Sequence, residues 1–320
     1  MKSDAVFNIF LRGFPSFLEG DFSHCWRIKQ PSRVMKRGVS SMDFYDLYLQ
    51  CFPDYPCSRE TFYRFMQPDQ ATILAEHQPD GKLIAYAMIW GNSISLLCVA
   101  SEHRRKGIGA RLLRQAEEHI AKTGAEKVIL GQGSHYLLQG VPAGTPEAIA
   151  FFEKRGYSAR WTSANMELLL EKFDYEALDI PPVAHGVSFR FATEADREAL
   201  LSAVAVAEPN WRGIFETCRD PILLATGTTT DRILGFVILD PNGGRFGLGK
   251  DRVGSVGCVG VIPSAREKGI GRRMVAKGID WLKPQGCRTI ELLYLELVDW
   301  YSTLGFEVTD WQWMGEKTLA

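Results

Sequence analysis

A basic, glycine-rich turn that opens a helix occurs twice in this chain, and no other feature constrains the fold as strongly. Residues 103–113 read HRRKGIGARLL, and residues 265–275 read AREKGIGRRMV. In each copy an apolar run precedes the turn, and apolar residues at helical spacing follow the glycines. The repetition predicts the same strand–turn–helix unit in both halves of the chain.

Equivalent residues of the two copies are a fixed number of positions apart around the turn, and fewer positions apart near the end of each half. Arg104 and Gly109 correspond to Arg266 and Gly271, a shift of 162. Near the end of each half the shift between equivalent glycines is only 149. The first half therefore carries 13 extra residues, which fall in residues 131–146, GQGSHYLLQGVPAGTP. A long loop inside a compact domain is often functional, so we expect this insertion to serve a site.

The chain length and one segment containing Pro and Gly predict two domains. The chain has 320 residues, and the Pro- and Gly-containing stretch DIPPVAHG reads as a linker. The predicted limits are an N-terminal extension at 1–30, a first domain at 31–172, a linker at 173–185 and a second domain at 186–320.

Strands alternate with helices in both halves, which predicts the α/β (α+β) class. The predicted strands are 72–76, 82–90, 93–99, 127–130, 187–191, 222–226, 233–240, 254–261 and 289–294. The predicted helices are 41–52, 107–122, 146–154, 269–282 and 297–303. Ser40 and Thr193, each followed three residues later by an Asp, are the predicted helix caps.

Composition narrows the function classes. The chain has 37 Lys and Arg against 38 Asp and Glu, a net charge of −1, which argues against nucleic-acid binding. Seven scattered cysteines indicate reduced thiols in a cytoplasmic protein. We expect no metal site, because metal-binding motifs such as Cys-x-x-Cys are lacking, and no membrane span, because no long apolar run occurs.

The glycine turn is suited to binding an anion. The first N–H groups of a helix lack partners, the helix dipole is positive there, and glycine permits close approach. We expect a pyrophosphate as the ligand. Leu112 and Met274 occupy the third glycine position of a dinucleotide fingerprint, and neither turn continues as Gly-Lys-Ser or Gly-Lys-Thr. Both a dinucleotide fold and a P-loop are therefore excluded.

Arg104-x-x-Gly107-x-Gly109, with its copy 162 residues later, resembles the coenzyme A loop of the GNAT acetyltransferases. The second signature of that family is a Tyr four residues before a glycine that an aromatic residue follows. It reads Tyr301…Gly305-Phe306 in the second half, and the first half has Phe152…Gly156-Tyr157. The resemblance covers about residues 31–172 and 186–320. It implies two tandem GNAT-type domains, each a mixed sheet splayed between its fourth and fifth strands, with acetyl-CoA as co-substrate.

The resemblance also implies which residues contact the coenzyme. The pantetheine arm is assigned to the fourth strands, at Leu97, Cys98, Val99, Val259, Gly260 and Val261. The pyrophosphate is assigned to the two turns, at Arg104, Arg105, Lys106, Gly107, Ile108, Gly109, Ala110, Arg266, Lys268, Gly269, Ile270, Gly271 and Arg272. Many relatives carry an Asn seven residues before the aromatic position, where this chain has Thr145 and Tyr294, so that contact is not expected.

The implied reaction is direct transfer of an acetyl group to the primary amine of a small molecule. It needs a base for the ammonium proton and an acid for the leaving thiolate. Tyr301 is the candidate acid, and Glu291 in the strand TIELLY is the candidate base. Because the first half has Phe152 at the acid position, the second half is favoured. In the first half, His135 and Tyr136 in the insertion are the competing candidates.

Three functions remain open from the sequence. The leading one is an N-acetyltransferase with one working and one degenerate half. The second is a non-catalytic module that binds or senses acetyl-CoA or coenzyme A. The third is a structural pair of domains. The sequence names neither the acceptor amine nor the oligomeric state.

Overall fold

The computed structural model describes residues 43–133, 135–178, 180, 185–246 and 252–319, in which both halves contribute to one twelve-stranded mixed sheet. The strands are β1 Thr72–His77, β2 Leu83–Trp90, β3 Ser93–Val99, β4 Lys127–Leu130, β5 Val141–Pro142, β6 Ser158–Leu169, β7 Val187–Phe191, β8 Ile222–Gly227, β9 Ile233–Asp240, β10 Arg252–Val261, β11 Cys287–Leu295 and β12 Glu307–Thr318. The helices are α1 Phe44–Cys51, α2 Arg59–Met66, α3 Ile108–Ala121, α4 Pro146–Glu153, α5 Arg197–Ala207, α6 Arg212–Thr217, α7 Ile270–Leu282 and α8 Val298–Ser302.

Local sequence explains where the helices begin. Asp43 caps α1 by accepting a hydrogen bond from the Asp46 N–H at 3.0 Å. The prediction that this helix starts at residue 41 was therefore wrong by three residues, and Ser40 lies outside the described residues. Thr193 and Asp196 form the predicted capping box. Helix α2 and the long strands β6 and β12 were not among the predicted elements.

The sheet has two faces that carry different helices. In β2, Ala85 and Ala87 pack in the same cluster as α3, whereas Tyr86, between them, packs in the cluster of α1 and α2. In β9, Phe236 meets Phe215 of α6 edge-on, whereas Leu239, three residues along, lies against Gly278 of α7. Because successive side chains of a strand alternate between faces, these helices lie on opposite sides. We call the side of α1, α2 and α6 the front face, and the side of α3, α4, α7 and α8 the back face.

Each half is completed by the last strand of the other half. The strand order is β1-β2-β3-β4-β12-β6-β11-β10-β9-β8-β7, so β12 lies between β4 and β6, and β6 lies between β12 and β11. Glu316 of β12 pairs with Ile129 of β4, and Glu167 of β6 pairs with Glu291 of β11. These two pairs are related by the same shifts, 149 and 162, as the sequence repeat.

The sheet splays at two places. Strand β3 pairs with β4 only at Ser93 and Ile94, and β10 pairs with β11 only from Arg252 to Ser255. Beyond these residues the strands separate, which leaves a first opening between β3 and β4 and a second opening between β10 and β11. The predicted mixed sheet, splayed once in each half, is confirmed.

Within the described ranges, no helix combines the length and the apolar character needed to cross a bilayer. Six cysteines in these ranges are free thiols, and Cys25 lies outside them. The same ranges contain no group of three or more His, Cys, Asp or Glu side chains placed to hold a metal ion.

Candidate active site

The two basic turns follow the same backbone path. Arg105 and Gly107 have φ of +60° and +81°, and their equivalents Glu267 and Gly269 have φ of +63° and +72°. Left-handed residues in such a turn direct neighbouring backbone N–H groups into one concavity, which is a common way to bind a phosphate. The concavity opens at the N-termini of α3 and α7, where the helix dipole adds positive potential.

The first arginine of each motif joins the turn to the preceding strand. Arg104 Nε donates to the Val99 carbonyl at 3.0 Å, and Arg266 Nε donates to the Val261 carbonyl at 3.0 Å. These two side chains therefore hold the turns in place. The other basic residues add positive charge to the turns.

Only part of β3 and only part of β10 face the two openings. The Ala100 N–H donates to Ile84 of β2, so the alternation of an antiparallel ladder turns the peptide groups of Leu97 and Val99 toward the first opening. Cys98 pairs with β2, and its side chain is buried in the front core. Gly260 is the equivalent of Cys98 in β10. A Cβ on Gly260 would overlap the Phe236 ring, so the side of the strand on which a side chain would lie is already filled.

A β-bulge marks the edge of the second opening. The register of β10 against β9 slips between Gly257 and Gly260, and Cys258 in this bulge has φ of +49°. A non-glycine residue in the left-handed region is strained, and a bulge leaves one residue without its ladder partner. In β3 the slip lies instead at Ser95, next to the last residue that pairs with β4.

Tyr301 lies in α8, near Cys258 at the bulge that borders the second opening. Its ring is buried and meets Trp300 edge-on, with 4.6 Å between ring centroids. Burial, followed by the nearby Cys258 thiol, raises the pKa of Tyr301 above its usual range. The phenol therefore stays protonated at neutral pH. Phe152, equally buried, occupies the corresponding place in the first half.

Glu291 lies on the front face at the point where β10 and β11 part, since its pairing with Ser255 is the last between these strands. It is only 3% exposed. Its carboxylate accepts hydrogen bonds from the backbone N–H groups of Arg245, at 2.8 Å, and Phe246, at 3.4 Å. Burial raises the pKa of Glu291 to about 7, with these N–H groups opposing the rise and Glu167 adding to it.

The first half has no counterpart of this carboxylate. Ile129 stands at the position equivalent to Glu291. The glutamate paired with it across the strands, Glu316, forms an ion pair with Lys127 at 2.8 Å. The position equivalent to Lys127 in β11 is Thr289, so the carboxylate pair of the second half has no lysine there.

A polar cavity of about 170 Å³ lies on the front face between the two halves, directly beside Glu291. Its walls come from β6, β11, β12, the connection between α1 and α2, and the segment after β9. The lining residues are Asp54, Tyr55, Asn165, Glu167, Phe246, Glu291, Leu293, Thr309 and Asp310. Four of them are carboxylates, which makes the cavity suitable for a cation.

A second cavity, of about 280 Å³, lies on the back face beside α3 and α4. It is lined by Ala110, Leu113, Arg114, Glu117, Arg155 and Lys317. Three of its six residues are cationic.

The insertion does not bring His135 and Tyr136 together at the first opening. His135 is enclosed, with its ring 3.9 Å from that of Trp90 and its Nδ1 3.1 Å from the Phe65 carbonyl. Burial lowers the pKa of this imidazole. Tyr136 reaches the second half instead, where the Arg245 guanidinium lies over its ring at 4.3 Å. Their predicted catalytic roles stay predictions, and this placement gives His135 a packing role.

Sequence reasoning did not single out the other cavity residues. Arg245, Phe246 and Glu167 come from segments that carry no recognisable motif. Asp54 and Asp310 are 256 residues apart in the chain. No local signal connects such positions, because the cavity exists only once both halves share the sheet.

The mixed sheet has two openings. Each is bordered by a bulged strand, and that strand leads into a basic, glycine-rich turn and a helix. This arrangement defines a tandem acyltransferase fold. The acetyltransferase (GNAT) family matches residues 41–157 and 190–306. The chain belongs to this family, and the resemblance found in the sequence is confirmed. GNAT acetyltransferases generally use acetyl-CoA as the acyl donor.

Among proteins of known name, the mycothiol acetyltransferase of Amycolatopsis mediterranei is 29% identical over 260 residues, covering 71% of this chain and 78% of the relative. A glucosamine N-acetyltransferase region of a fungal multi-domain β-N-acetylglucosaminidase has a TM-score of 0.73 at 21% identity, covering 85% of this chain and 36% of that one. A tandem GNAT protein from the clavulanic acid pathway has a TM-score of 0.63 at 16% identity, with coverages of 86% and 94%. The two structures share the fold.

Proposed function

We propose that the second half transfers the acetyl group of acetyl-CoA to the primary amine of a small cationic molecule, and that the first half holds coenzyme A without turnover. The observation that carries this proposal is the contrast between equivalent positions. The second half has Tyr301 and Glu291 at its opening, whereas the first half has Phe152 and Ile129. The first half therefore lacks both proton-transfer groups.

The coenzyme fits the chain at both openings. The concave turns at Gly107 and Gly269 suit a pyrophosphate, and the free edges of β3 and β10 suit an extended pantetheine arm. Acetyl-CoA supplies an activated thioester. In the first half the insertion buries Leu137 in the front core, in the same cluster as Leu96 of β3. Leu137 thus packs on the front face, the face on which Glu291 lies in the second half, and this supports a purely binding role.

Two groups of the second half act from opposite faces of the sheet. Glu291, on the front face, takes the proton from the acceptor ammonium, so that the amine nitrogen forms its bond to the acetyl carbon. Tyr301, on the back face, gives its proton to the sulfur as the carbon–sulfur bond breaks, and the second proton that the nitrogen releases when the amide forms returns to the Tyr301 oxygen through solvent. Backbone N–H groups of the bulge at Cys258 stabilise the charge that develops on the acetyl oxygen.

The acidic cavity selects the acceptor. Four carboxylates within about 170 Å³ favour an ammonium and disfavour an acceptor that carries its own carboxylate. The relative named a mycothiol acetyltransferase supports a small-molecule acceptor for this chain as well.

The acceptor is identified by measuring thiol release from acetyl-CoA with a panel of amines. We expect amines without a carboxylate, including diamines, amino sugars and the acceptor of mycothiol acetyltransferases, to exceed free amino acids by about ten-fold in kcat/KM. This corresponds to about 1.4 kcal/mol of like-charge discrimination. Coenzyme A binding without transfer to any amine would instead establish the non-catalytic module.

Coenzyme binding by each half is tested with glycine variants. Gly107→Val and Gly269→Val place a β-branched side chain at left-handed φ, which distorts the turn and fills the phosphate side. We expect each variant to lose one of two coenzyme A sites in calorimetry. The matched controls are Gly124→Val and Gly286→Val, which follow α3 and α7, have φ of +84°, and have no heavy atom within 4 Å of the added Cβ.

The controls separate backbone strain from loss of the site. If Gly124→Val weakens binding as much as Gly107→Val does, general destabilisation explains both results. If Gly107→Val and Gly269→Val retain two full sites, neither turn binds the pyrophosphate.

A further inference from the structure

The 13-residue insertion belongs to the first half in sequence but contacts the second half in space. The Tyr294 hydroxyl of β11 donates to Gln132 Oε1 at 3.2 Å, and the rings of Tyr136 and Tyr294 are 6.4 Å apart. Tyr294 lies where the register of β11 against β6 slips, and it has φ of +67°. The insertion therefore meets β11 three residues beyond Glu291.

The insertion also meets the segment that holds Glu291. The Arg245 guanidinium lies between two aromatic rings of the first half, 4.6 Å from the Phe65 centroid and 4.3 Å from the Tyr136 centroid. Its Nη1 is buried without a hydrogen-bond partner. The contacts that fix this side chain therefore include two ring faces, and stacked guanidinium groups of this kind gain about 0.5–2 kcal/mol.

The backbone of the same residue holds the proposed base. The N–H groups of Arg245 and Phe246 both point at the Glu291 carboxylate. A carboxylate buried beside another carboxylate needs such donors, since each N–H bond favours its ionised form. Phe246 is fixed in turn by the Tyr55 ring, 5.4 Å away.

We propose that the insertion is a working part of the second half's active site: Tyr136, together with Phe65, clamps Arg245 so that the main chain at Arg245 and Phe246 holds Glu291 at the acceptor cavity. Tyr136 and Arg245 are thus positioning residues, and Tyr136 acts through its ring. The proposal rests on the proposed function only in taking Glu291 as the base. It explains why a loop with no counterpart in the second half is kept at the interface between the halves.

The charged and titratable groups around Glu291 come from several elements, and each contributes to its titration. They are Glu167 on β6, Asp310 on β12, Asp54 and Tyr55 between α1 and α2, and Arg245 after β9. Of these groups only Arg245 contacts Tyr136, and both its charge and its N–H lower the pKa of Glu291. A shift in the titration of Glu291 in a Tyr136 variant therefore reports on the clamped Arg245–Phe246 segment.

The test compares Tyr136→Leu, which removes the aromatic face, with Tyr136→Phe, which keeps it. We expect Tyr136→Leu to move the acid limb of the kcat/KM profile upward by about one pH unit and to lower kcat/KM at pH 7 about five-fold, because the carboxylate loses N–H donors. Tyr136→Phe should match the wild type. Arg245→Lys, which keeps the charge but loses the planar group, should behave as Tyr136→Leu does.

A second readout needs no activity. The pH dependence of unfolding free energy is compared between Tyr136→Leu and Tyr136→Leu/Glu291→Gln, and the difference reports the titration of Glu291 in the folded protein. We expect the midpoint of the Glu291 titration to lie at higher pH than in the same comparison between the wild type and Glu291→Gln. An unchanged midpoint in both Tyr136→Leu and Arg245→Lys overturns the clamp. Full loss of activity in Tyr136→Phe also overturns it, because Tyr136 would then be a proton donor.

The two readouts keep this inference separate from the proposed function. If the protein acetylates no amine, the proposed function fails, but the titration of Glu291 still tests the clamp. If acetylation is found and the titration does not move, the clamp fails alone.

Discussion

Tyr301→Phe is expected to lower the turnover number by about 10²–10⁴-fold, the usual scale for losing a general acid. The substitution keeps the ring and its edge-on contact with Trp300 and removes only the hydroxyl. The midpoint of thermal unfolding should therefore change little. The measurement is steady-state release of thiol from acetyl-CoA, with the acceptor identified from the amine panel.

The matched change in the first half is Phe152→Tyr. It introduces a hydroxyl at the equivalent position, but Ile129 still stands where Glu291 would be needed. We expect no gain in turnover, either in the wild type or in Tyr301→Phe. A fully active Tyr301→Phe enzyme together with an inactive Tyr136→Phe enzyme would place the chemistry in the first half and its insertion.

Glu291→Gln is expected to lower kcat/KM by about 10²–10⁴-fold at pH 8, because an amide does not accept the ammonium proton. In the wild type, kcat/KM should rise as the pH increases through about 7, where Glu291 loses its proton. The variant should lose this limb. Glu316→Gln is the control, since it changes the carboxylate at the equivalent cross-strand pair of the first half and should leave turnover near the wild-type value.

Glu291→Gln also changes stability, and the sign of the change follows from the raised pKa of Glu291. The folded protein holds the Glu291 proton up to about pH 7, whereas the ordinary value is 4.5. The titration of Glu291 therefore lowers the free energy of unfolding of the wild type as the pH rises from about 4.5 to about 7, by about 3 kcal/mol at most. Glu291→Gln removes this loss, so its unfolding free energy relative to the wild type should increase between pH 5 and pH 8. Urea denaturation at both pH values measures it, and a constant difference would contradict the raised pKa.

Local patterns predicted a large part of the fold. Strands β3, β4, β7 and β9 have the predicted limits, because each is a short segment in which apolar residues run together or alternate with polar ones. The helices after the two glycine turns were also predicted to within one residue of their observed starts. Each of these elements is specified by residues close together in the sequence, so no knowledge of the partner half is required.

Strands β6 and β12 show where such reasoning stops. Each is 12 residues long and mixes buried and exposed positions irregularly, because each passes from its own half into the other. Alternation along a strand tells which side chains share a face, but it carries no information about the strand that will lie alongside. Their pairing is decided by the complementarity of two complete halves.

The sequence by itself determined that the chain repeats a basic, glycine-rich turn and that only the second copy carries a tyrosine, Tyr301, at the position of Phe152. These are comparisons between equivalent residues, and they need no coordinates. Only the tertiary structure decided that Glu291 faces a carboxylate-lined cavity, with a pKa near neutrality, and that the insertion around Tyr136 lies against the second half. Burial and close approach of charges depend on segments tens to hundreds of residues apart, and only the exchanged strands of the shared sheet bring those segments together.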